Sequence, residues 1–154
     1  MISKLAIGTA NFGLNYGINN QKGKLTSEDI NQIFVAGQKH GIEIIDTAQM
    51  YGDAETRIGK VLDDKNLSFK LITKLKPDLS KSITESLDNS LINLSTDQIY
   101  GLLYHSFSFY KKHPGSWKVF QRLKKDEKVQ KVGFSLYYPY ELEFLIERNV
   151  SFDI

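Results

Sequence analysis

Residues 41–55 have the sequence GIEIIDTAQMYGDAE, which joins a short strand to a helix. The strand, Glu43–Asp46, is apolar in its centre and ends on a carboxylate. The helix that follows carries apolar residues spaced for one face, at Ala54, Ile58, Val61 and Leu62. This order of apolar strand, polar strand end and amphipathic helix is one β/α unit, and it recurs on both sides of residues 41–55.

Further apolar segments are spaced like the strands of a repeated β/α pattern. They are Lys4–Gly8, Phe69–Lys74, Ile99–Tyr104 and Val129–Phe134, and Ser151–Ile154 begins another. Their intervals are ~30 residues, the length of one βαβ unit. Near-continuous apolar strands separated by amphipathic helices predict a parallel sheet buried on both faces. Two α/β architectures fit: an open doubly wound sheet, and a partial (β/α)8 TIM barrel with sequential parallel strands 1–5 and the start of strand 6.

Several residues mark the starts of helices. Thr26-Ser27-Glu28-Asp29 resembles a capping box. Either Ser80 or Ser82 is placed to cap the helix that precedes the fourth strand. Pro114 and Pro139 each suit the first turn of a later helix, because a residue there needs no N–H donor. These signals support the helix positions that periodicity predicts.

Polar side chains stand at the carboxyl ends of four successive strands, at Asp46, Lys74, His105 and Ser135. A barrel assembles its active site from several strand ends on this face, whereas an open sheet binds its ligand at one switch point. The dinucleotide fingerprint G-x-G-x-x-G is absent, and the glycines near the N-terminus lack the Lys-Ser/Thr of a phosphate loop. The pattern therefore favours the barrel.

Taken singly, each of these residues also has a purely structural interpretation. Asp46 can cap a turn, and Lys74 can be a solvated charge at the rim of the sheet. His105 can be a core histidine with satisfied hydrogen bonds, Ser135 can turn the chain, and Tyr51 can be plain packing. The prediction of a site depends on the combination of these residues and on their order.

Composition limits the classes of function. Hydrophobic residues make up 41% and charged residues 25%, ordinary values for one globular domain. A net charge of +2 gives no electrostatic reason to expect nucleic acid or an anionic membrane as partner. Without cysteine the chain has no disulfide, thiolate metal site or cysteine nucleophile, and we expect no metal. No segment resembles a membrane span or a secretory signal, which predicts a soluble cytoplasmic protein.

Residues 41–59 resemble the signature of the aldo/keto reductase family, with the pattern G-x-x-x-x-D-T-A-x-x-Y-G-x-A-E-x-x-I-G. Many fixed positions occur in the right order, so a chance match is excluded in practice. Other segments are similar to the family's first, third, fourth and fifth strands: Leu5–Gly13, Ile72-Thr73-Lys74, Leu102–His105 and Lys131–Ser135. The resemblance covers the whole chain.

The resemblance implies an NADPH-dependent oxidoreductase that reduces an aldehyde or ketone, a small-molecule carbonyl substrate. Tyr51 corresponds to the family's general acid, and Lys74 to the cation beside it. A phenol is a weak acid near neutrality, and a neighbouring cation favours its ionised form. Asp46 corresponds to the carboxylate that holds this lysine, and His105 to the residue that orients the substrate carbonyl. The positions that contact NADPH correspond to Thr9, Asp46 and Ser135.

The chain departs from the family pattern in two respects. Leu136 follows Ser135 where many members have asparagine, although a Ser-x-Tyr form occurs in one branch. A complete barrel has ~250 residues, so we expect residues 1–154 to form a single truncated barrel domain. Two other functions stay open: a non-catalytic truncated barrel fragment that folds or binds a partner, and a Schiff-base aldolase with Lys74 as nucleophile.

A partial barrel has open edges at its first and last strands. Its first strand and the strand begun at Phe152 lack the partners that close a circle, and open edges pair with other chains. We expect the chain to self-associate through these edges, and to bind NADPH weakly because the family's phosphate-binding segments have no counterpart in it. Light scattering and fluorescence titration measure both properties. A monodisperse monomer that binds NADPH tightly would contradict the prediction.

Overall fold

The sheet of the computed structural model, which describes residues 4–75 and 82–154, has the strand order of a barrel. Its strands are β1 (Ala6–Gly8), β2 (Ile44–Asp46), β3 (Lys70–Leu75), β4 (Ile99–Tyr104) and β5 (Val129–Phe134). Each strand pairs in parallel with the next one in the sequence. The predicted partial (β/α)8 barrel is confirmed, because a doubly wound sheet reverses its strand order at a switch point.

Helices connect the strands and cover one face of the sheet. They are α1 (Ala10–Gly13), α2 (Ser27–Lys39), α3 (Ala54–Lys65), α4 (Ile83–Asn93), α5 (Phe107–Lys112), α6 (Trp117–Lys125) and α7 (Pro139–Glu147). A 3₁₀ turn at Pro114–Ser116 precedes α6. The sequence pattern missed α1 and α5, because helices of 4 and 6 residues are too short to show an apolar period.

Two of the helix starts predicted to be capped have capping boxes, and the first of these boxes was itself predicted. The Thr26 hydroxyl accepts a hydrogen bond from the Asp29 N–H at 3.1 Å, and the Asp29 carboxylate accepts one from the Thr26 N–H at 2.9 Å. Ser82 and Glu85 form the same reciprocal pair at the start of α4. Ser82 is therefore the cap of this helix, and Ser80 lies outside the described residues.

The core lies between the sheet and the helices, and it includes an aromatic cluster around β4 and β5. Tyr104 is fully buried, with its ring 5.0 Å from that of Phe120. Trp117 stacks on Phe134 at 4.3 Å. In α7 only Leu145 of the three predicted apolar positions is buried, whereas Leu142 and Ile146 are exposed. Within the described part of the chain no helix is long and apolar enough to cross a membrane.

The last residues run alongside β5 as the predicted start of a sixth strand. The Asp153 N–H donates to the Val132 carbonyl at 2.8 Å, and the Phe134 N–H donates to the Ile154 carbonyl at 3.1 Å. The Asp153 carboxylate also accepts from the Val132 N–H at 2.9 Å. These bonds place the last residues beside β5, although the sheet itself ends at its fifth strand in the described residues.

Gly59 allows α3 and α4 to approach at backbone distance. A Cβ at this position would overlap the Asn93 carbonyl oxygen and lie 2.7 Å from the Leu94 carbonyl carbon. An alanine gains up to ~1 kcal/mol of helix propensity, but overpacking costs about 1–3 kcal/mol, and more where backbone must move. We therefore expect Gly59→Ala to lower the free energy of unfolding by about 1–2 kcal/mol, as measured by urea denaturation.

Gly115 provides the matched control, because a Cβ there meets nothing within 4 Å. The Gly115→Ala variant should unfold at the same urea concentration as the unmodified chain. Equal stability of the Gly59→Ala and Gly115→Ala variants would show that α3 and α4 are not in backbone contact.

Candidate active site

The pairing of β2 with β3 brings Asp46 and Lys74 together. Asp46, the last residue of β2, is in register with Ile72 of β3. Lys74 lies two residues further on, so its side chain leaves β3 on the same face as that of Ile72. Its Nζ reaches the Asp46 Oδ1 at 2.6 Å. The ion pair thus follows from the register of two neighbouring strands.

The Lys74 ammonium is surrounded by oxygen atoms. Besides Asp46, its Nζ donates to the Thr47 carbonyl at 2.9 Å and lies 3.5 Å from the Tyr51 hydroxyl. The Lys74 side chain is 6% exposed, whereas that of Asp46 is 37% exposed. An ammonium has three donors, and each has an oxygen here. A buried cation is tolerated because it is paired and fully hydrogen-bonded.

Tyr51 lies on the turn between β2 and α3, where two glycines make the backbone path possible. Gly52 has a φ of +60°, in the left-handed region that favours glycine. Gly13 of α1 packs directly on this turn, and a Cβ there would overlap the Tyr51 carbonyl oxygen. The turn is closed by hydrogen bonds from the Tyr51 N–H to Ala48 and from the Ala54 N–H to Tyr51.

His105 completes a group of four side chains at the carboxyl edge of the sheet. It directly follows β4, and its backbone N–H donates to the Leu75 carbonyl of β3 at 2.9 Å. Its ring stands perpendicular to that of Tyr51, with the centroids 5.9 Å apart. Asp46, Lys74, Tyr51 and His105 therefore form a connected series, although they come from three strand ends and a turn.

A cleft of about 340 Å³ opens beside Asp46 and Tyr51. Its wall continues along the end of β1, the start of α1 and the loop after α1, through Gly8, Thr9, Ala10, Asn11, Tyr16 and Gly17. The Thr9 hydroxyl and N–H both donate to the Asp46 carbonyl, at 3.0 and 3.1 Å. Asn11 and Tyr16 were not predicted as lining residues, because neither the short helix α1 nor the loop after it has a periodic signal that shows how it folds.

Charged side chains attach this loop to the start of α3. Lys24 and Asp53 form an ion pair at 2.5 Å. The hydrogen bond from Lys24 holds the pKa of Asp53 below its ordinary value, against a smaller opposing effect of burial. The Arg57 guanidinium donates to the carbonyls of Phe12 and Leu25. These contacts hold both ends of the loop that contains Tyr16.

Ser135 joins the group by position rather than by a side-chain contact. Tyr104 of β4 pairs with Phe134 of β5, so His105 and Ser135 are the next residues on neighbouring strands. The Ser135 N–H donates to the Tyr104 carbonyl at 3.0 Å. All six site residues predicted from the sequence thus lie at one edge of the sheet: Thr9, Asp46, Tyr51, Lys74, His105 and Ser135.

A sequential parallel sheet with polar residues at its carboxyl edge is typical of the (β/α)8-barrel class. Residues 4–150 match the sequence model of the Aldo/keto reductase family, and the chain belongs to this family. Comparison with curated proteins gives no match.

Solved structures of aldo-keto reductases have the same fold over this chain. The holo form of an enzyme from Bacillus halodurans is 22% identical, with 96% of this chain and 50% of that chain covered and a TM-score of 0.73. An enzyme from Klebsiella pneumoniae, in complex with NADPH, is 20% identical, with 95% and 50% covered and a TM-score of 0.70. One from a Medee basin deep-sea metagenome is 23% identical, with 100% and 53% covered and a TM-score of 0.70. The chain spans about half the length of these structures.

Removing the Asp46 carboxylate should destabilise the chain, because the Lys74 ammonium stays buried without its charge partner. A buried group that loses a charged hydrogen-bond partner costs about 1–3 kcal/mol, and we expect Asp46→Ala to lose that amount in urea unfolding. The double variant Asp46→Ala/Lys74→Met also removes the ammonium, so it should recover part of the loss.

Asp64→Ala is the matched control, since it breaks only the exposed pair of Asp64 with Lys60. Exposed pairs of this kind often contribute nothing measurable. If Asp46→Ala were as stable as Asp64→Ala, the ammonium of Lys74 would not depend on Asp46.

Proposed function

We propose that this chain carries the catalytic residues of an oxidoreductase that reduces an aldehyde or ketone with NADPH. The observation that carries the proposal is the Lys74 ammonium, which lies between the Asp46 carboxylate at 2.6 Å and the Tyr51 hydroxyl at 3.5 Å. Membership of the aldo/keto reductase family supports it. We also propose that residues 1–154 belong to one barrel domain.

The residues at the cleft fit the nicotinamide end of NADPH. A Cβ at Gly8 would meet nothing within 4 Å, so the floor of the cleft is open to a flat ring. Thr9 and Asp46 border the cleft, and Ser135, outside its wall, adds a hydroxyl at the same edge of the sheet. Asp46 and Ser135 would hold the cofactor, which supplies the hydride when bound. Thr9 is fully buried and would support Asp46 through the two hydrogen bonds to its carbonyl.

In this mechanism Tyr51 gives its proton to the oxygen of the reduced carbonyl. The phenol oxygen becomes negative as the proton leaves, and the Lys74 cation stabilises that charge. At the 3.5 Å of this contact, with an effective dielectric constant of ~20, the attraction is about 4–5 kcal/mol. Asp46 holds the lysine in place throughout. His105, whose ring stands against that of Tyr51, orients the substrate carbonyl by a hydrogen bond.

The contacts of Lys74 favour this reaction over Schiff-base chemistry. An aldolase lysine attacks a carbonyl carbon with the lone pair of a neutral amine. In this chain the nitrogen instead donates to the Asp46 carboxylate and the Thr47 carbonyl, and its third donor faces the Tyr51 hydroxyl. This arrangement leaves no lone pair directed at a substrate.

Tyr51→Phe should lower kcat for carbonyl-dependent NADPH oxidation by about 10²–10⁴-fold, the contribution of a positioned general acid. NADPH binding should be unchanged, because the phenyl ring remains. The rate is followed by absorbance with NADPH in large excess, and binding by fluorescence titration.

Tyr100→Phe provides the control, because Tyr100 lies near the opposite end of β4 with its ring next to Lys70 and Lys131. This variant should retain the full rate. Undiminished oxidation of NADPH by Tyr51→Phe would remove Tyr51 as the proton donor. Borohydride trapping of a carbonyl compound on Lys74 would favour the aldolase instead.

A further inference from the structure

A buried polar cluster lies behind the site, on the face of β3 that is covered by α3 and α4. It consists of Gln49, Glu55, Thr73, Ser86 and Ser90, here called the Glu55 cluster. Glu55 is 4% exposed and accepts hydrogen bonds from the Thr73 hydroxyl at 2.6 Å and the Ser90 hydroxyl at 3.2 Å. The Gln49 amide donates to the Ser90 hydroxyl at 2.9 Å and to the Ser86 carbonyl at 2.6 Å. The five residues thus form one connected network.

The Glu55 cluster holds the turn that carries Tyr51 at two points, one before Tyr51 in the sequence and one after it. Gln49 comes two residues before Tyr51, and Glu55 comes four residues after it, in the first turn of α3. Because both side chains bond to Ser90 of α4, the two arms of the turn have a common anchor. A displacement of Tyr51 would therefore break hydrogen bonds at one arm or the other.

The same cluster also holds the strand that carries Lys74. Thr73 is the residue before Lys74 in β3, and successive side chains of a strand point to opposite faces. The Thr73 hydroxyl thus bonds to Glu55 on the helix side while Lys74 projects into the site. One carboxylate thereby links the backbone next to Tyr51 with the backbone next to Lys74.

The Glu55 carboxylate is buried, so its hydrogen bonds to Thr73 and Ser90 must be kept. An ionised group taken out of water is costly unless its hydrogen bonds are kept. The first turn of a helix lowers this cost, because the macrodipole favours negative charge there. A partly broken network leaves buried polar groups without partners, which is costly. Small shifts of β3 relative to α3 are therefore opposed.

We propose that Glu55 is a positioning residue that sets the distance between the Tyr51 hydroxyl and the Lys74 ammonium. It acts through Thr73 on one side and through Ser90 and Gln49 on the other. The proposal rests on the proposed function in one respect, the role of Tyr51 as proton donor. The geometric part, the placement of the Tyr51 ring, is independent of it.

The experiment uses three variants of the full chain. Glu55→Ala removes the link. Glu55→Gln keeps an oxygen that can accept from the Thr73 hydroxyl, and its amide N–H can donate to the Ser90 hydroxyl. Glu141→Ala is the matched control, because Glu141 is also buried, 7% exposed, and accepts two hydrogen bonds, from the N–H groups of Tyr137 and Tyr138. It lies on α7, outside the Glu55 cluster.

The geometric readout is the nuclear Overhauser effect between the rings of Tyr51 and His105, which stand 5.9 Å apart at the centroids. We expect Glu55→Ala to weaken this signal by at least half relative to Glu141→Ala, and Glu55→Gln to restore it. If Glu55→Ala does not fold, Thr73→Val replaces it, since valine keeps the shape of threonine without the hydroxyl. An unchanged signal in the folded variant, or an equal loss in Glu141→Ala, would overturn the proposal.

The kinetic readout separates positioning from general stability. A displacement of about 1 Å at a reacting group can cost up to ~100-fold in rate. We expect Glu55→Ala to lower kcat about 10–100-fold with the KM for NADPH unchanged, and Glu55→Gln to recover most of the loss. A rise in KM with unchanged kcat would count against the proposal. A chain that oxidises no NADPH in any variant would remove the proposed function, whereas the ring signal would still decide the role of Glu55.

Discussion

A buried ammonium must have oxygen partners, and this requirement on Lys74 organises the carboxyl edge of the sheet. Its partners come from the end of β2, from the residue after it and from the turn before α3. None of them is close to Lys74 in the sequence. The ion pair therefore exists only when β2 and β3 pair in the observed register, and a slip by one residue would turn Lys74 to the helix side.

The glycines and the Glu55 cluster hold in place the elements that carry these oxygen partners. Gly13 and Gly52 let α1 and the Tyr51 turn approach at backbone distance. Glu55 and Thr73 then tie the turn to β3. The signature of residues 41–59 thus combines groups that face the cleft with groups that hold the first set in place. Gly59 belongs to the second kind, since it brings α3 onto α4.

Spacing along the chain was enough to predict the sheet and most of the helices. Strands β4 and β5 have the predicted bounds, and β1 is shorter, beginning at Ala6 rather than Lys4. The caps of α2 and α4 were predictable because a capping box involves only residues three apart. The exposure of Leu142 and Ile146 in α7 was not predictable. The pattern of a helix shows where its apolar residues lie but not what covers them.

The order of strand, polar strand end and amphipathic helix is a local property, so the amino-acid sequence alone established the β/α repeat and the strand-end residues. Their proximity is a long-range property. Lys74 meets Asp46 across 28 positions of the chain, and Arg57 meets Phe12 across 45. Such contacts depend on register and on the path of loops, which carry no periodic signal. Only the tertiary structure could therefore place Tyr16 at the cleft and Glu55 behind the Tyr51 turn.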